Sequence, residues 1–326
     1  MWKYVAGSVV AGSVAYGLVK YFAGGVCRCT ARLDGQVVII TGANSGIGKA
    51  LALELAQRGA TLILACRSVD KGLETKKYIQ SRLNNKFIKI FVKELDLAKL
   101  SSILKFAQTL KSEFTEIYAL VNNAGVFHHP QGLTEDGFEI TLQTNYLGPF
   151  VLTHHLLDLL KKSVHARIVN VSSEAHRIVN TYDLNAVTKC QTEFRDHFTA
   201  YGVSKLALNL FTKELSKKLL NTNVIVNAAN PGNVETPIFR NFFPLSNPFL
   251  FALQWPIRLV VIKSPKQGAQ TPLHLLLTSS RTTGQYFSDC KLAVPSPICS
   301  NDKIAHEYYN LTLEVLADKF NTESEC

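Results

Sequence analysis

The stretch Val37-Val-Ile-Ile-Thr41-Gly42-Ala-Asn44-Ser45-Gly46-Ile47-Gly48-Lys49-Ala50 constrains this chain more than any other. Its apolar start reads as a buried strand, its glycines as a tight turn, and Leu51-Ala-Leu-Glu-Leu-Ala56 as a helix. A strand, a glycine turn and a helix together make a cradle for an anion. Glycine takes positive φ and lets a ligand approach the backbone, while the free N–H groups of the helix start carry partial positive charge. The glycines do not follow the commoner G-x-G-x-x-G order, so the spacing alone also fits an ordinary βα turn. The rest of the chain has to decide.

From Val37 onward, apolar strand-like runs alternate with helix-like runs, the rhythm of a parallel sheet covered on both faces. The strands are expected at Val37–Ile40, Thr61–Cys66, Phe87–Val92, Ile117–Asn122, Ala166–Ser172, Asn223–Ala229 and Gln285–Phe287. Helices are expected near Gly46–Arg58, Val69–Ser81, Lys99–Ser112, Glu135–Lys161 and Ala200–Leu220. The fold class is therefore α/β: a doubly wound, Rossmann-type sheet of seven parallel strands. Such a sheet binds its ligand at the carboxyl ends of the strands, where the connection order reverses. Arg67, Asp96, Asn123 and Ser173 all follow expected strands.

A chain of 326 residues, 47% apolar, can bury a sizeable core. Its formal charge of +10 raises the question of nucleic acid, but the basic residues are scattered and no nucleic-acid-binding motif appears. No nucleic-acid partner is expected; a basic surface also suits an anionic cofactor or lipid face. The seven cysteines lack zinc-ligand spacing, and Cys27-x-Cys29 is too close for a usual metal knuckle. Free thiols and no metal are the expectation. Asn310-Leu-Thr312 matches a glycosylation acceptor, which matters only if that end faces a lumen.

Val5 to Val19 carries no charge, and with Lys20 snorkelling the apolar stretch reaches Val26, near the ~20 residues a spanning helix needs. Gly7, Ala11 and Ala15 share one face, as in helices that pack closely in lipid. Residues 1–32 thus read as a membrane-anchor helix and linker, in preference to a cleaved signal or an organelle-targeting segment. Lys20, Arg28 and Arg32 outnumber Lys3, which leaves the main domain on the cytoplasmic side. Residues 33–326 form the expected single domain. Within it, 238–262 carries six aromatic residues between Phe239 and Trp255 but is broken by Pro244, Pro248 and Pro256, so it reads as an apolar lid and not a spanning helix. A buried helical hairpin is the alternative.

After the second strand, an acidic residue would hold the ribose hydroxyls of NAD, whereas an arginine accommodates the extra phosphate of NADP. This chain has Cys66-Arg67, which favours NADP(H), unless nearby Asp70 takes Arg67 as its partner. Farther on, Tyr201 and Lys205 stand four apart on one helical face. A phenol titrates near 10, and a neighbouring ammonium is expected to lower that, making a usable acid and base.

Thr41-Gly-Ala-Asn-Ser-Gly46-Ile-Gly48, Asn122-Asn-Ala-Gly125, Val171-Ser-Ser173, Tyr201-x-x-x-Lys205 and Pro231-Gly232, in this order, resemble the short-chain dehydrogenase/reductase superfamily. Leu64-Ala-Cys-Arg67, Asp136-Gly-Phe138-Glu139, Asn145-Tyr-Leu-Gly148-Pro-Phe150 and Lys263-Ser-Pro265-x-x-Gly268-Ala-Gln270 are similar, more narrowly, to membrane-anchored, NADP(H)-using retinol dehydrogenases. The resemblance implies that Tyr201 exchanges the proton, Lys205 lowers its pKa and binds the nicotinamide ribose, Ser173 bonds the substrate oxygen, and Asn145 links Lys205 to solvent. Ser172 should point into the sheet. Gly42, Asn44, Ser45, Gly46 and Ile47 would line the phosphates and Arg67 the 2′-phosphate. Asp96 and Leu97 would line the adenine, and Asn123, Ala124 and Gly125 the adjoining ribose. Pro231, Gly232 and Thr236 would position the nicotinamide end.

The implied function is NADP(H)-dependent interconversion of an apolar carbonyl and its alcohol, with retinal and retinol the leading pair. Steroid, lipid-aldehyde or xenobiotic carbonyls are the alternative substrates, and a non-catalytic NADP(H)-binding scaffold is the alternative role. The larger group suggests the endoplasmic reticulum, and the start Gly24-Gly-Val-Cys27 resembles a mitochondrial member, which points to the inner membrane. A homodimer is the assembly the superfamily suggests. Two departures bear on the substrate: Asn230 stands where these relatives usually carry His, and Phe127-His128-His129-Pro130 replaces a more apolar run. The polar insert Glu174 to Ala200 is expected to form a loop beside the site, with His128 and His129 either at the pocket mouth or merely exposed.

Overall fold

The computed structural model describes residues 23–179, 196–236 and 262–323. The apolar stretch expected to anchor the chain, most of the insert and nearly all of the expected lid therefore lie outside the described residues. Among the described residues no helix is long and apolar enough to cross a membrane.

One sheet organises the structure: β1 Val37–Thr41, β2 Thr61–Cys66, β3 Ile90–Glu94, β4 Ala119–Asn122, β5 Arg167–Val171, β6 Ile225–Asn230, β7 Tyr286–Ser288 and β8 Lys291–Ala293. Their order is β3-β2-β1-β4-β5-β6-β7-β8. The chain runs outward from β1 to β3 and returns to pair β4 with the free side of β1, so the order reverses between β1 and β4. The expected doubly wound sheet is present, with a correction: among the described residues it has eight strands, and the eighth is antiparallel to β7. The cause is local. Asp289 and Cys290 both take positive φ, 51° and 60°, the conformation of a tight two-residue hairpin, whereas another parallel strand would need a long crossover. β3 also starts later than expected, because Phe87 is 92% exposed while Ile90 is buried.

Alternate side chains on each strand face opposite layers. Ile39, Ile63, Leu120, Ile168 and Val226 pack against α3 (Leu100–Glu113), α4 (Gly148–Lys162) and α5 (His197–Lys218). Val38, Ile40, Leu62, Leu64, Val121 and Val169 pack against α1 (Gly46–Gln57) and α6 (Gln270–Leu277). On the second strand's flank, α2 (Val69–Arg82) is capped by Ser68, whose hydroxyl accepts from the Lys71 N–H at 3.4 Å. A last helix, α7 (Asp302–Glu323), covers α5; its Thr312 hydroxyl meets the Tyr146 hydroxyl at 2.7 Å.

The run expected as one helix from Glu135 is interrupted. Gly137 turns at φ 80°, and the Glu139 carboxylate caps the next turn by accepting from the N–H groups of Thr141 (2.8 Å) and Leu142 (2.7 Å). Gln143–Leu147 then forms a π-helical turn that leads into α4. That wider turn carries Asn145. α5 starts three residues earlier than expected because Asp196 caps it, accepting from Phe198 and Thr199 at 3.0 Å each.

Candidate active site

The glycine turn sits at the carboxyl end of β1, against β4. Gly42 and Gly46 take φ 65° and 52°, and a methyl group on Gly48 would fall 2.5 Å from the Gly42 carbonyl oxygen. Thr41 welds the turn to the neighbouring strand: its hydroxyl accepts from the N–H groups of Asn123 and Ala124, both at 2.9 Å. Ser45 at the start of α1 makes no side-chain cap, so the first N–H groups of that helix are left for another acceptor. Above the turn lies a cavity of about 260 Å³.

Gly42, Asn44, Ser45, Gly46, Ile47, Arg67, Asp96, Leu97, Asn123, Ala124, Gly125 and Thr236 all line this cavity. Residues predicted from four separate strand ends thus meet on one concave surface. Pro231 and Gly232 follow β6 and lie outside that lining. Gly232 takes φ 79° and its N–H donates to the Asn230 side-chain oxygen at 3.0 Å. Arg67 is exposed at the rim, and among the described residues it makes no ion pair, with Asp70 or otherwise. Lys71, one turn along α2, lines the same end and was not singled out from the sequence. Its signal was there: a second cation four residues after Arg67, on a helix whose start faces the strand ends.

The other end of the cleft is built on α5, β5 and the π-turn. Ser173 is close enough to act on the Tyr201 phenol, and the Lys205 ammonium lies 5.5 Å from the centre of the Tyr201 ring. Lys205 is 3% exposed and donates to the Val171 carbonyl at 2.8 Å. Asn145 accepts from the Val126 N–H at 2.8 Å and donates to the Val126 carbonyl and the Ser204 hydroxyl, both at 3.0 Å. A methyl group on Gly125 would stand 3.2 Å from Asn145 Oδ1 and 3.7 Å from Lys205 Nζ, so this group of side chains abuts the cavity wall. Ser172 is buried in the sheet, as expected.

Burial pushes the Tyr201 phenol up to about 12, opposed by the nearby Ser173 side chain, and burial lowers the Lys205 ammonium to about 8. This reverses the direction expected for Tyr201. The ammonium is spent on the Val171 carbonyl and stands off the phenol, so desolvation of the phenolate prevails.

Ser173 is also held from behind. Its hydroxyl accepts from the Ala175 N–H at 3.2 Å, capping the short 3-10 turn Glu174–Ile178. Fully buried His176 donates from Nδ1 to the Ser173 carbonyl at 2.6 Å and accepts at Nε2 from the Ser296 N–H at 3.0 Å. Burial lowers the His176 pKa, which keeps the ring in this neutral form. Asn230 donates to Glu174 at 2.9 Å and to the Ser288 hydroxyl at 3.2 Å, tying the residue after Ser173 to β7. Neither His176 nor this use of Asn230 was legible in the sequence, since both depend on partners more than fifty residues away.

At the mouth, the Phe127 ring meets Tyr201 and Phe198 edge-on, each with centroids 5.2 Å apart. His128 takes φ 52° and stacks on His197 at 3.8 Å, whereas His129 lines the cavity. The two histidines thus divide between the mouth and the cleft.

Residues 36–245 match the family model described as short chain dehydrogenase. This chain belongs to that family. As a short-chain dehydrogenase its chemistry is nicotinamide-dependent oxidoreduction. It is 43% identical to human retinol dehydrogenase 12 over 93% of each chain. It is 41% identical to human retinol dehydrogenase 11 over 91% of each, and 40% identical to mouse retinol dehydrogenase 13 over 94% of this chain and 90% of that one. Among solved structures, this short-chain dehydrogenase resembles an uncharacterized protein from Mycobacterium paratuberculosis (28% identity, TM-score 0.68, 90% of this chain and 97% of that one). It also resembles a short chain dehydrogenase from Escherichia coli complexed with NADPH (25% identity, TM-score 0.60, 78% and 96%).

Proposed function

We propose that this short-chain dehydrogenase interconverts an apolar carbonyl compound and its alcohol with NADP(H), that retinal and retinol are its leading pair, and that Tyr201 handles the proton. One observation carries the reading. The Tyr201 phenol lies within the influence of Ser173 and one turn from a buried ammonium, beside a cavity whose far end holds the glycine turn, Arg67 and Lys71.

The cavity's residues fit the cofactor. Gly42, Asn44, Ser45, Gly46 and Ile47 offer backbone N–H groups and space to the phosphates, and Arg67 with Lys71 offers charge to a 2′-phosphate. Asp96 and Leu97 suit the adenine, Asn123, Ala124 and Gly125 the adjoining ribose, and Thr236, with Pro231 and Gly232 beyond the cavity lining, the nicotinamide end. When bound, the nicotinamide supplies or accepts the hydride.

The protein's own groups manage the oxygen. With a pKa of about 12, Tyr201 is protonated at neutral pH and can donate to a carbonyl oxygen as negative charge grows there; Ser173 adds a second hydrogen bond to the same atom. Lys205, fixed by Val171, presents its ammonium at the Gly125 wall to ribose hydroxyls, and Asn145 holds the Val126 and Ser204 segments in register around it. A neutral phenol suits reduction, because in oxidation the same oxygen must first lose its proton.

The aromatic mouth of Phe127 and Phe198 suits an apolar substrate, and the names of the relatives supply retinol as the candidate. The uncharged stretch from Val5 supports attachment to a membrane, where such a substrate dissolves. The test is an assay of the purified full chain with NADPH against retinal, steroid ketones and medium-chain aldehydes, beside Tyr201→Phe. Turnover of retinal by the parent, reduced roughly 10²–10⁴-fold in Tyr201→Phe with NADPH affinity retained, is the expected outcome. Equal turnover by the variant would remove Tyr201 from the chemistry, and inactivity of the parent on the whole panel would favour the idle scaffold.

A further inference from the structure

Away from the cleft, three segments distant in sequence bring thiols and an imidazole together. The strap after residue 23 carries Cys27 and Cys29, α6 carries His274, and the hairpin turn between β7 and β8 carries Cys290. None of the four lines the cofactor cavity. The ligand atoms of Cys27, Cys29 and His274 all lie within 4.8 Å of one another, and Cys29 Sγ stands 3.6 Å from His274 Nδ1. A tetrahedral zinc ion with bonds of about 2.3 Å to sulfur and 2.0–2.1 Å to nitrogen holds such a pair roughly 3.6 Å apart. The observed separation, which a thiol–imidazole hydrogen bond also spans, is one that a shared ion can adopt.

The scaffold around the group is built from both sides. The Cys27 N–H donates to the Gln270 side chain at 3.1 Å, one turn before His274, and the Cys290 N–H donates to the Thr271 hydroxyl at 3.2 Å. A methyl group on Gly25 would fall 1.9 Å from the Asp289 carbonyl oxygen, so strap and hairpin touch backbone to backbone. Cys290 stands outside the group whose ligand atoms lie within 4.8 Å of one another.

The hairpin beside this group has an unusual backbone of its own. A two-residue turn with positive φ at both positions favours glycine at the second, and here that position holds Cys290 at φ 60°. A side chain kept in a conformation that disfavours side chains is a reason to look for its use.

We propose that Cys27, Cys29 and His274, with water completing the shell, bind a thiophilic divalent metal ion of the zinc class. Thiolates with one imidazole select such ions over magnesium or calcium. On binding, each cysteine gives its proton to solvent as its metal–sulfur bond forms, and His274 binds through a neutral nitrogen. The ion fastens the strap that leads from the expected anchor to the β7–β8 edge of the sheet. Sequence spacing did not indicate it, because the imidazole lies 245 residues beyond Cys29.

The test is elemental analysis of the full chain, purified in detergent through a histidine-free tag and dialysed after equilibration with zinc. About one zinc per chain is expected, falling to roughly a tenth in Cys29→Ser and in His274→Ala. Should those variants fail to fold, the parent itself decides: cobalt exchange must give a thiolate-to-cobalt charge-transfer band. Zinc below roughly 0.1 per chain in the parent, unchanged zinc in folded variants, or a disulfide joining two of these cysteines overturns the proposal. No outcome touches the hydride-transfer reading, because the metal is measured without NADPH or substrate.

Discussion

The two ends of the cleft are made of different materials. The glycine-turn end consists of backbone and missing side chains: positive φ at Gly42 and Gly46, and a Gly48 with no room for a methyl group. The α5 end consists of side chains fixed by their polar atoms, Lys205 on the Val171 carbonyl and Asn145 on Ser204, with Tyr201 near Ser173. One end tolerates no added atom and the other tolerates no lost one. Adding atoms should therefore weaken binding and stability, while deleting atoms should stop the chemistry in a protein that still folds and binds.

Tyr201→Phe is the largest expected departure, roughly 10²–10⁴-fold in turnover for the loss of a single oxygen. Gly48→Ala is its counterpart. The new methyl group would meet the Gly42 carbonyl oxygen at 2.5 Å and the Asn123 amide at 2.6 Å, and the backbone of the first has little freedom to yield. Overpacking of this kind costs about 1–3 kcal/mol. A lower melting temperature and weaker NADPH binding, with near-parental turnover at saturating cofactor, are expected. A Gly48→Ala protein that binds NADPH normally but turns over slowly would break the contrast between the two ends.

That contrast also explains what was legible beforehand. The glycine turn, the β1–β4 switch point and the Tyr201/Lys205 pair are local patterns, and local spacing writes them into the sequence. The direction of the Tyr201 shift was misread because it depends on where Lys205 aims, and a carbonyl on β5 decides that. His176 was invisible for the same reason: its partners, Ser173 and Ser296, belong to different parts of the fold. The eighth strand escaped notice because Lys291–Ala293 is short and its direction is set by two positive φ values. The long helix expected from Glu135 had the right periodicity but hid a π-turn, which periodicity cannot distinguish from regular helix.

Arg67→Asp refines the comparison within the binding end. Arg67 is exposed, so solvent screens its charge and a moderate effect is expected, about tenfold on NADPH with NADH spared. Lys71 remains as a second cation at the same rim, which further limits the loss. Parallel titrations with the two cofactors decide the matter. Equal weakening of both would remove Arg67 as a reader of the 2′-phosphate and leave it a general rim charge.

The smallest effect concerns the cost of building the chemical end from a buried cation. Lys205 folds with its pKa lowered from 10.5 to about 8, so below pH 8 both folded and unfolded chains carry the proton and the burial penalty stands in full. Between about 8 and 10.5 the unfolded chain keeps a proton that the folded one has shed, and rising pH then favours the folded state. Tyr201 works oppositely, but only above pH 10, where the unfolded phenol ionises first while the folded one holds its proton to about 12. Thiols such as Cys66 and Cys290, raised by burial from 9.0 to about 11, also titrate differently in the two states near pH 9.5, so it is the difference between parent and Lys205→Met at pH 7 and pH 9.5, in which they cancel, that isolates the lysine. In Lys205→Met the side chain is neutral and similar in volume, so any advantage it has over the parent at pH 7 should shrink by pH 9.5, by roughly 2–4 °C in melting temperature. The melts must be run without NADPH, whose binding would itself stabilise the fold. A gap that stays constant across the two pH values would mean that the Val171 carbonyl already compensates the buried charge, and that the side-chain end of the cleft is built at no cost in stability.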